Sequence, residues 1–544
     1  MRRFWSLLAW GAPLLAATLT VWWVILHRPT GQPSESRFSP TRLILRRGIG
    51  PEPESLDPHR ARSEAALGIL RDLYEGLTEV GPNGTAVLAA ADRCDISTDG
   101  KTYRFHLRPG ARWSNGEPLN AEDFVAAWRR LVDPHTGAQY AQLLAPVRGA
   151  TAITQGHLAA LSLGARAASA AILVVELEHP SPYFLSVLAH PATFPINRTS
   201  WRAHGVKFAK PGFMVSNGAF TLSGWDFGSH VIARRNPYYW NAGQVRLDGV
   251  EYYSMPEAAT ELRAYRSGEL DVTSTVPAAQ FTWIKQHQQQ ELHIAPQLAV
   301  YYLGLNLKRA PFDRSQALRT ALSMVIDRER LVRSITGMGE SPAYGLVPSQ
   351  TFGYSSPLPQ YAHWSMQTRV LRARALLRAA GLLQSPPKIE LRYNSGDLHS
   401  RIAIAVARMW QEYLGIETTL RAEEFKILLQ DIDRGNTQVF RASWIADYND
   451  AYSFLQLLQS GFGINLPGYS NSDYDALLAR ANQTVEIGER RALLQQAEAL
   501  MIADQPLIPL YFYVASHLVS PTLSGWSDNV MNVVYSKALT KEHP

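Results

Sequence analysis

The stretch TYRFHLRPGARWSNGEPLNAEDFVAAWRRLVDP, residues 102–134, carries the pattern that decides the fold class. Residues 101–107 alternate apolar and polar, which predicts a half-buried strand. WSNGEP, residues 113–118, reads as a turn. Asn120 then stands as a helix N-cap. Glu122 and Asp123 follow in the first turn, where acidic groups meet the positive end of the helix dipole. Phe124, Val125, Trp128 and Leu131 recur as one apolar face.

The same alternation of strand and helix runs outward from there. RLILRRGI is a short strand, and Ser63 caps a helix with Leu67, Leu70, Leu73 and Leu77 at helical spacing. NGAFTLSGWDFGSHVIARRNPYYW, residues 217–240, predicts two strands joined through residues 226–229. In AVYYLGLNLKRAPFDRSQALRTALSMVIDRERLV, residues 299–332, Asp313 is the expected cap. Ala317, Leu318, Ala321, Leu322 and Ile326 form the expected core stripe. Residues 388–425 read as strand, loop, helix and strand. The last long helix stops at Pro506, before a strand LIPLYFYV.

The chain has 544 residues, 46% hydrophobic and 18% charged, which fits several packed units. Fourteen Trp and 23 Tyr are enough to line a cavity as well as a core. The net charge of +6 is scattered, with no basic run interleaved with aromatics, so nucleic acid is not an expected partner. A single cysteine, Cys94, excludes an internal disulfide and any cysteine-built metal site. At the N-terminus Arg2 and Arg3 precede residues 4–26, which carry no charge and are long enough to span a bilayer. Trp5, Trp22 and Trp23 sit near the ends of that run, where interfacial aromatics belong. No small-residue cleavage site follows, so an uncleaved inner-membrane anchor is expected, with a Pro- and Ser-rich linker to residue 41.

Catalytic patterns are weak. DGKT, residues 99–102, reads as a hairpin turn, and GIGPE lacks the third glycine of a dinucleotide fingerprint. Glu423–Glu424 and Asp431–Asp433 read as solvated helix faces. Neither an enzyme nor a cofactor is expected. One stretch stands out: FRASWIADYND, residues 440–450, reads as a buried strand flanked by the opposite charges Arg441 and Asp447.

Taken together, EPESLDPHRA, LYEGL, residues 102–134, NGAFTLSGW, RRNPYYW, YYLGLNLKRAPFDRSQALRTALSMVIDRERLV, YNSGDLHSRIAIA, WIADYND and YSNSDYDALL resemble, in order, the extracytoplasmic solute-binding proteins of peptide and nickel ABC transporters. The resemblance covers about residues 43–526 and implies an α/β, two-lobed clamshell of type II with an extra domain in its N-terminal lobe. Residues 42–64, 197–298 and 515–544 would form lobe I. Residues 65–196 would be the extra domain, and 299–514 the other lobe.

Asp447 would hold the α-ammonium of a bound peptide. Arg441 and His399 would lie near its C-terminus, supported by Asn394. The strand at Ser443 and Ile445 would pair with the ligand backbone, as would residues 52–54 with Glu52 and Glu54 on the other lobe. Tyr140, Tyr302, Trp444 and Tyr513 resemble cleft aromatics of the family. Implied partners are short peptides and the permease and ATPase of an ABC importer. A dipeptide, a cell-wall peptide, a metal chelate, or a membrane-anchored sensor without transport stays open. Three single positions and one segment depart from the family pattern. Ala299 and Ile445 stand where well-known members carry cysteines, residues 334–340 lack a lysine, and Ile432 replaces an arginine.

Overall fold

The computed structural model describes residues 42–542. From Leu43 on, these form one compact unit built on three main sheets. In the first, Ile44–Gly48 pairs in parallel with Gly249–Tyr253. The hairpin Phe220–Asp226 and His230–Arg235 completes it through antiparallel pairing. The second is antiparallel, in the order Ala91–Ile96, Thr102–Leu107, Ile172–Glu176, Ala165–Ser169.

The opening stretch folds as its pattern dictates. Tyr103, Phe105 and Leu107 are buried on one side of Thr102–Leu107, and Ala121–Val132 is the helix. The Asp123 carboxylate accepts from the Asn120 N–H (3.0 Å) and from Trp113 Nε1 (3.1 Å), which fixes the helix start. Trp128, fully buried, donates Nε1 to the Thr193 carbonyl at 2.7 Å.

The third sheet has six strands in the order Ser341–Pro342, Leu507–Leu518, Leu292–Leu305, Val439–Ile445, Ile389–Asn394, Thr418–Glu423. Its two longest members, Leu292–Leu305 and Leu507–Leu518, run antiparallel with register shifts between Pro296 and Val300 and between Tyr301 and Tyr302. Beyond Leu518, Val519 bridges to Val272, which also bridges to Arg47 of the first sheet. The long strand pair therefore ties the third sheet to the first. Gly304, near one end of it, lies under the Phe440 ring with no room for a Cβ. Gly304→Ala is expected to cost about 1–3 kcal/mol through overpacking, read as a lower midpoint in chemical denaturation.

Four expectations need correction. The helix Glu64–Leu73 ends at Tyr74, whose backbone is extended, so Leu77 is buried beyond the helix rather than on it. Ser315, not Asp313, caps Gln316–Met324, because Asp313 still lies in the preceding turn and pairs with Arg314. Ile326 lies past that helix, though it is buried. Glu423 and Asp431 are not merely solvated. Arg392, itself buried, pairs with them at 3.2 and 2.6 Å, since a guanidinium taken from water needs carboxylates. The expected anchor, residues 4–26, lies outside the described residues. Among those described, no helix is long and apolar enough to cross a membrane.

Candidate functional site

The site begins at the strand Val439–Ile445. Along one edge it pairs antiparallel with residues 299–305 throughout. On the other edge only Val439 and Phe440 are paired, with Leu391 and Arg392. From Arg441 onward that edge is open. The ladder phase shows which groups face it. At the two ends the Asn306 N–H donates to the Gln438 carbonyl (2.9 Å) and the Ala446 N–H to the Leu298 carbonyl (2.8 Å). Even-numbered residues therefore bond inward, and Arg441, Ser443 and Ile445 turn their N–H and C=O groups to the open edge. Ser443 is half-buried and Ile445 is 44% exposed.

Ala299 and Ile445, the two positions where the family pattern has cysteines, stand directly opposite each other in this register. By the same phase they form a non-hydrogen-bonded pair, whose close Cα spacing suits a cross-strand disulfide. The double variant Ala299→Cys/Ile445→Cys is expected to oxidise spontaneously. It should gain about 2–4 kcal/mol, read as a rise in Tm that reductant abolishes.

The alternation of the strand sends its two kinds of side chain to opposite faces. On one face the Arg441 guanidinium lies 4.7 Å over the Tyr301 ring and donates to Tyr513 Oη (3.1 Å) and Asn394 Oδ1 (3.2 Å). Its Nε is buried without a partner, and so is the Tyr511 hydroxyl beside it. No carboxylate pairs with Arg441 among the described residues. His399, in the first turn of Asp397–Leu414, reaches Tyr301 Oη at 3.4 Å. Burial, aided by Arg441, lowers its pKa to about 4, so it is neutral at pH 7. A cation ringed by neutral donors and lacking a counter-ion is an arrangement suited to a carboxylate.

On the other face Trp444 points into a cavity of about 330 Å³, its Nε1 buried and unpartnered. Asp447 lines the same cavity, two residues past the strand, among Tyr448, Tyr452 and Tyr183. Its carboxylate has no hydrogen-bond or ion-pair partner among the described residues, and burial alone pushes its pKa up to about 7. Arg441 and Asp447 thus do not pair with each other. Each is left with unused capacity, one toward an anion and one toward a cation.

The other expected residues divide. Tyr140 packs on His190, 4.5 Å between centroids, and burial together with the Asp447 charge raises its pKa. Asn394 and Tyr513 hold Arg441 as described. Tyr302 is 4% exposed and belongs to the core on the Trp444 face, and Tyr301 takes the place at the Arg441 cluster. The carboxylates of Glu52 and Glu54 serve the protein itself. Glu52 accepts from Trp225 Nε1 (2.6 Å), and Glu54 from the Ser63 N–H (3.0 Å) at the helix start. No backbone hydrogen bond of residues 52–54 occurs among the described residues, so that segment keeps an open edge. Tyr301, Tyr511 and Tyr183 are the site neighbours that sequence reasoning missed. In AVYYLGLN both faces of the strand are apolar, so alternation does not tell which tyrosine faces the cluster.

Comparison with known proteins identifies the relatives of this chain. Residues 85–465 match the family model described as bacterial extracellular solute-binding proteins, family 5 middle. The probable deoxycholate-binding periplasmic protein YgiS of Escherichia coli is 38% identical over 93% of this chain and 95% of its own. The periplasmic oligopeptide-binding protein OppA of the same organism is 35% identical over 89% and 90%. The solved structure of the E. coli murein tripeptide-binding protein MppA, 33% identical, superposes over 92% of this chain and 99% of its own, with a TM-score of 0.83.

Proposed function

This chain belongs to the family-5 bacterial extracellular solute-binding proteins, and on that premise we propose that it captures short peptides outside the cytoplasm and delivers them to an ABC importer. The observation that carries the reading is Asp447, a carboxylate left unpartnered in a cavity beside an open strand edge. A peptide α-ammonium supplies the missing cation. The groups of Arg441, Ser443 and Ile445 on the open edge accept the ligand backbone as an added strand. The Arg441 cluster, with Tyr301, Tyr513, Asn394 and neutral His399, receives the C-terminal carboxylate. That arrangement takes over from the absent lysine and from the arginine whose place Ile432, buried in the core, holds. Water filling the side-chain cavities would adapt to many sequences and keep selectivity low.

The lobes are assigned as residues 42–64, 197–298 and 515–544 for lobe I, 65–196 for the extra domain and 299–514 for the third. In support, the first sheet falls within lobe I and the antiparallel sheet within the extra domain. The strands Leu292–Leu305 and Leu507–Leu518 run across the division, which makes them the hinge of a clamshell. Residues 4–26 tether the receptor to the inner membrane. A binder of a bile acid, as the name of the YgiS relative suggests, would have to place a carboxylate without satisfying Asp447. The role proposed here is reception, not catalysis.

Mass spectrometry of small molecules released by denaturing the purified chain tests this. A family of short peptides of mixed sequence is expected. A single species without an amine would overturn the peptide reading and the role of Asp447.

A further inference from the structure

A second cavity, of about 290 Å³, lies behind the loop that carries Asp447 and is lined in part by Asn449 and Asp450. Tyr183 forms a wall of both cavities and stacks on Tyr448 and Tyr452, with ring centroids 5.1 and 5.4 Å apart. The charges around the second cavity do not cancel. Arg490, 6% exposed, donates through both Nη atoms to Asp450 at 2.7 and 2.9 Å, and Asp450 also accepts from the Tyr452 N–H. That carboxylate is fully used. Arg490 Nε is nonetheless buried without a partner. Arg491 lines the same cavity, is exposed, and makes no hydrogen bond or ion pair among the described residues. The remaining walls are largely apolar, with Phe352 66% and Ile487 59% exposed and Leu494 buried.

We propose that this cavity is a second ligand site for a small amphipathic monoanion, a carboxylate on a flat apolar body. Arg491 pairs with the carboxylate, and Phe352 and Ile487 cover the body. A guanidinium without a direct ion pair, beside exposed apolar side chains, selects that chemistry over a neutral or cationic ligand.

The site is placed to act on the first one. Asn449 donates Nδ2 to the Gly84 carbonyl (3.1 Å) and accepts from the Phe352 N–H (2.8 Å), so the loop of Asp447 already ties the two walls together. An occupant touches Thr85 and Leu185 on one side and Phe352 and Arg491 on the other. It therefore favours the arrangement in which residues 65–196 and 299–514 approach. By linkage it tightens a peptide held at Asp447, a clause that rests on the proposed peptide role.

Calorimetric titration of the full-length chain with 4-phenylbutyrate, and with 4-phenylbutanamide as the uncharged control, tests this. The acid is expected to bind one-to-one with Kd below about 1 mM, and the amide at least about tenfold more weakly. Arg491→Gln should weaken the acid about fivefold or more, and Ile487→Glu, an exposed position, should abolish binding with Tm unchanged. Asp447→Asn should leave acid binding intact, which separates this site from the peptide reading. Saturating trialanine should tighten the acid about threefold or more, and equal affinity with and without it would overturn the coupling. Equal binding of acid and amide, indifference to both surface variants, or no saturable binding would overturn the site itself.

Discussion

Asp447→Asn is expected to weaken an unblocked tripeptide by about 100- to 1,000-fold, because truncating one member of a dry charge pair costs roughly 3–4 kcal/mol. The same substitution should make the empty protein more stable above neutral pH. Burial raises the Asp447 pKa from 3.8 to about 7. A group raised in the folded state contributes stability that is fully present below about pH 4 and is lost as pH rises through 7. At pH 8 the empty wild type therefore carries a desolvated carboxylate without a partner, a cost that the amide removes. Higher Tm with lost binding is the expected pair of results, read by thermal melts and calorimetry at pH 8. Peptide affinity of the wild type should also fall as pH drops below about 7, with a proton released on binding. An unchanged affinity in Asp447→Asn would remove the ammonium anchor from the account.

Arg441→Gln is the second large effect. For a peptide with a free C-terminus, a loss of about 30- to 300-fold is expected, since a buried guanidinium–carboxylate contact is charge-assisted at both ends. Arg441 also braces Tyr513 and Asn394, so a drop in affinity alone does not isolate its role. The cycle with a C-terminally amidated peptide does. Amidation should weaken binding to the wild type about as much as the substitution does, and should have little further effect on Arg441→Gln. Independent, additive losses would place the carboxylate elsewhere.

Much of this was legible in the sequence, for reasons particular to each element. The stretch 102–134 declares strand, turn and capped helix because its apolar period changes from two to helical spacing at Asn120, and the Asp123 contacts realise it. The pair Arg441 and Asp447 stands out because charges beside Trp444 and Tyr448 in a buried strand need partners. Alternation turns Trp444 away from Arg441, and Asp447 joins the Trp444 cavity only because the strand ends at Ile445 and the chain turns beyond it. What the sequence hides is whatever depends on contacts distant along the chain. Tyr301 and Tyr302 look alike within a strand buried on both faces, and only the pairing with Val439–Ile445 orients them. Glu423 looks like a surface acid until Arg392, on the neighbouring strand, is brought against it. Glu52 and Glu54 look free until Trp225 and Ser63 claim their carboxylates. Asp313 and Ser315 are both good caps, and the turn at Phe312 decides between them.

The central claim is that an amine-bearing peptide completes Asp447. It is tested most directly by titrating the full-length chain with trialanine and with N-acetyl-trialanine under identical conditions at pH 8. Tight, saturable binding of the free peptide is expected, with a loss of at least about 100-fold on acetylation, which removes the charge that Asp447 receives. Equal binding of the two peptides, or binding of neither while an amine-free carboxylate binds, would contradict it.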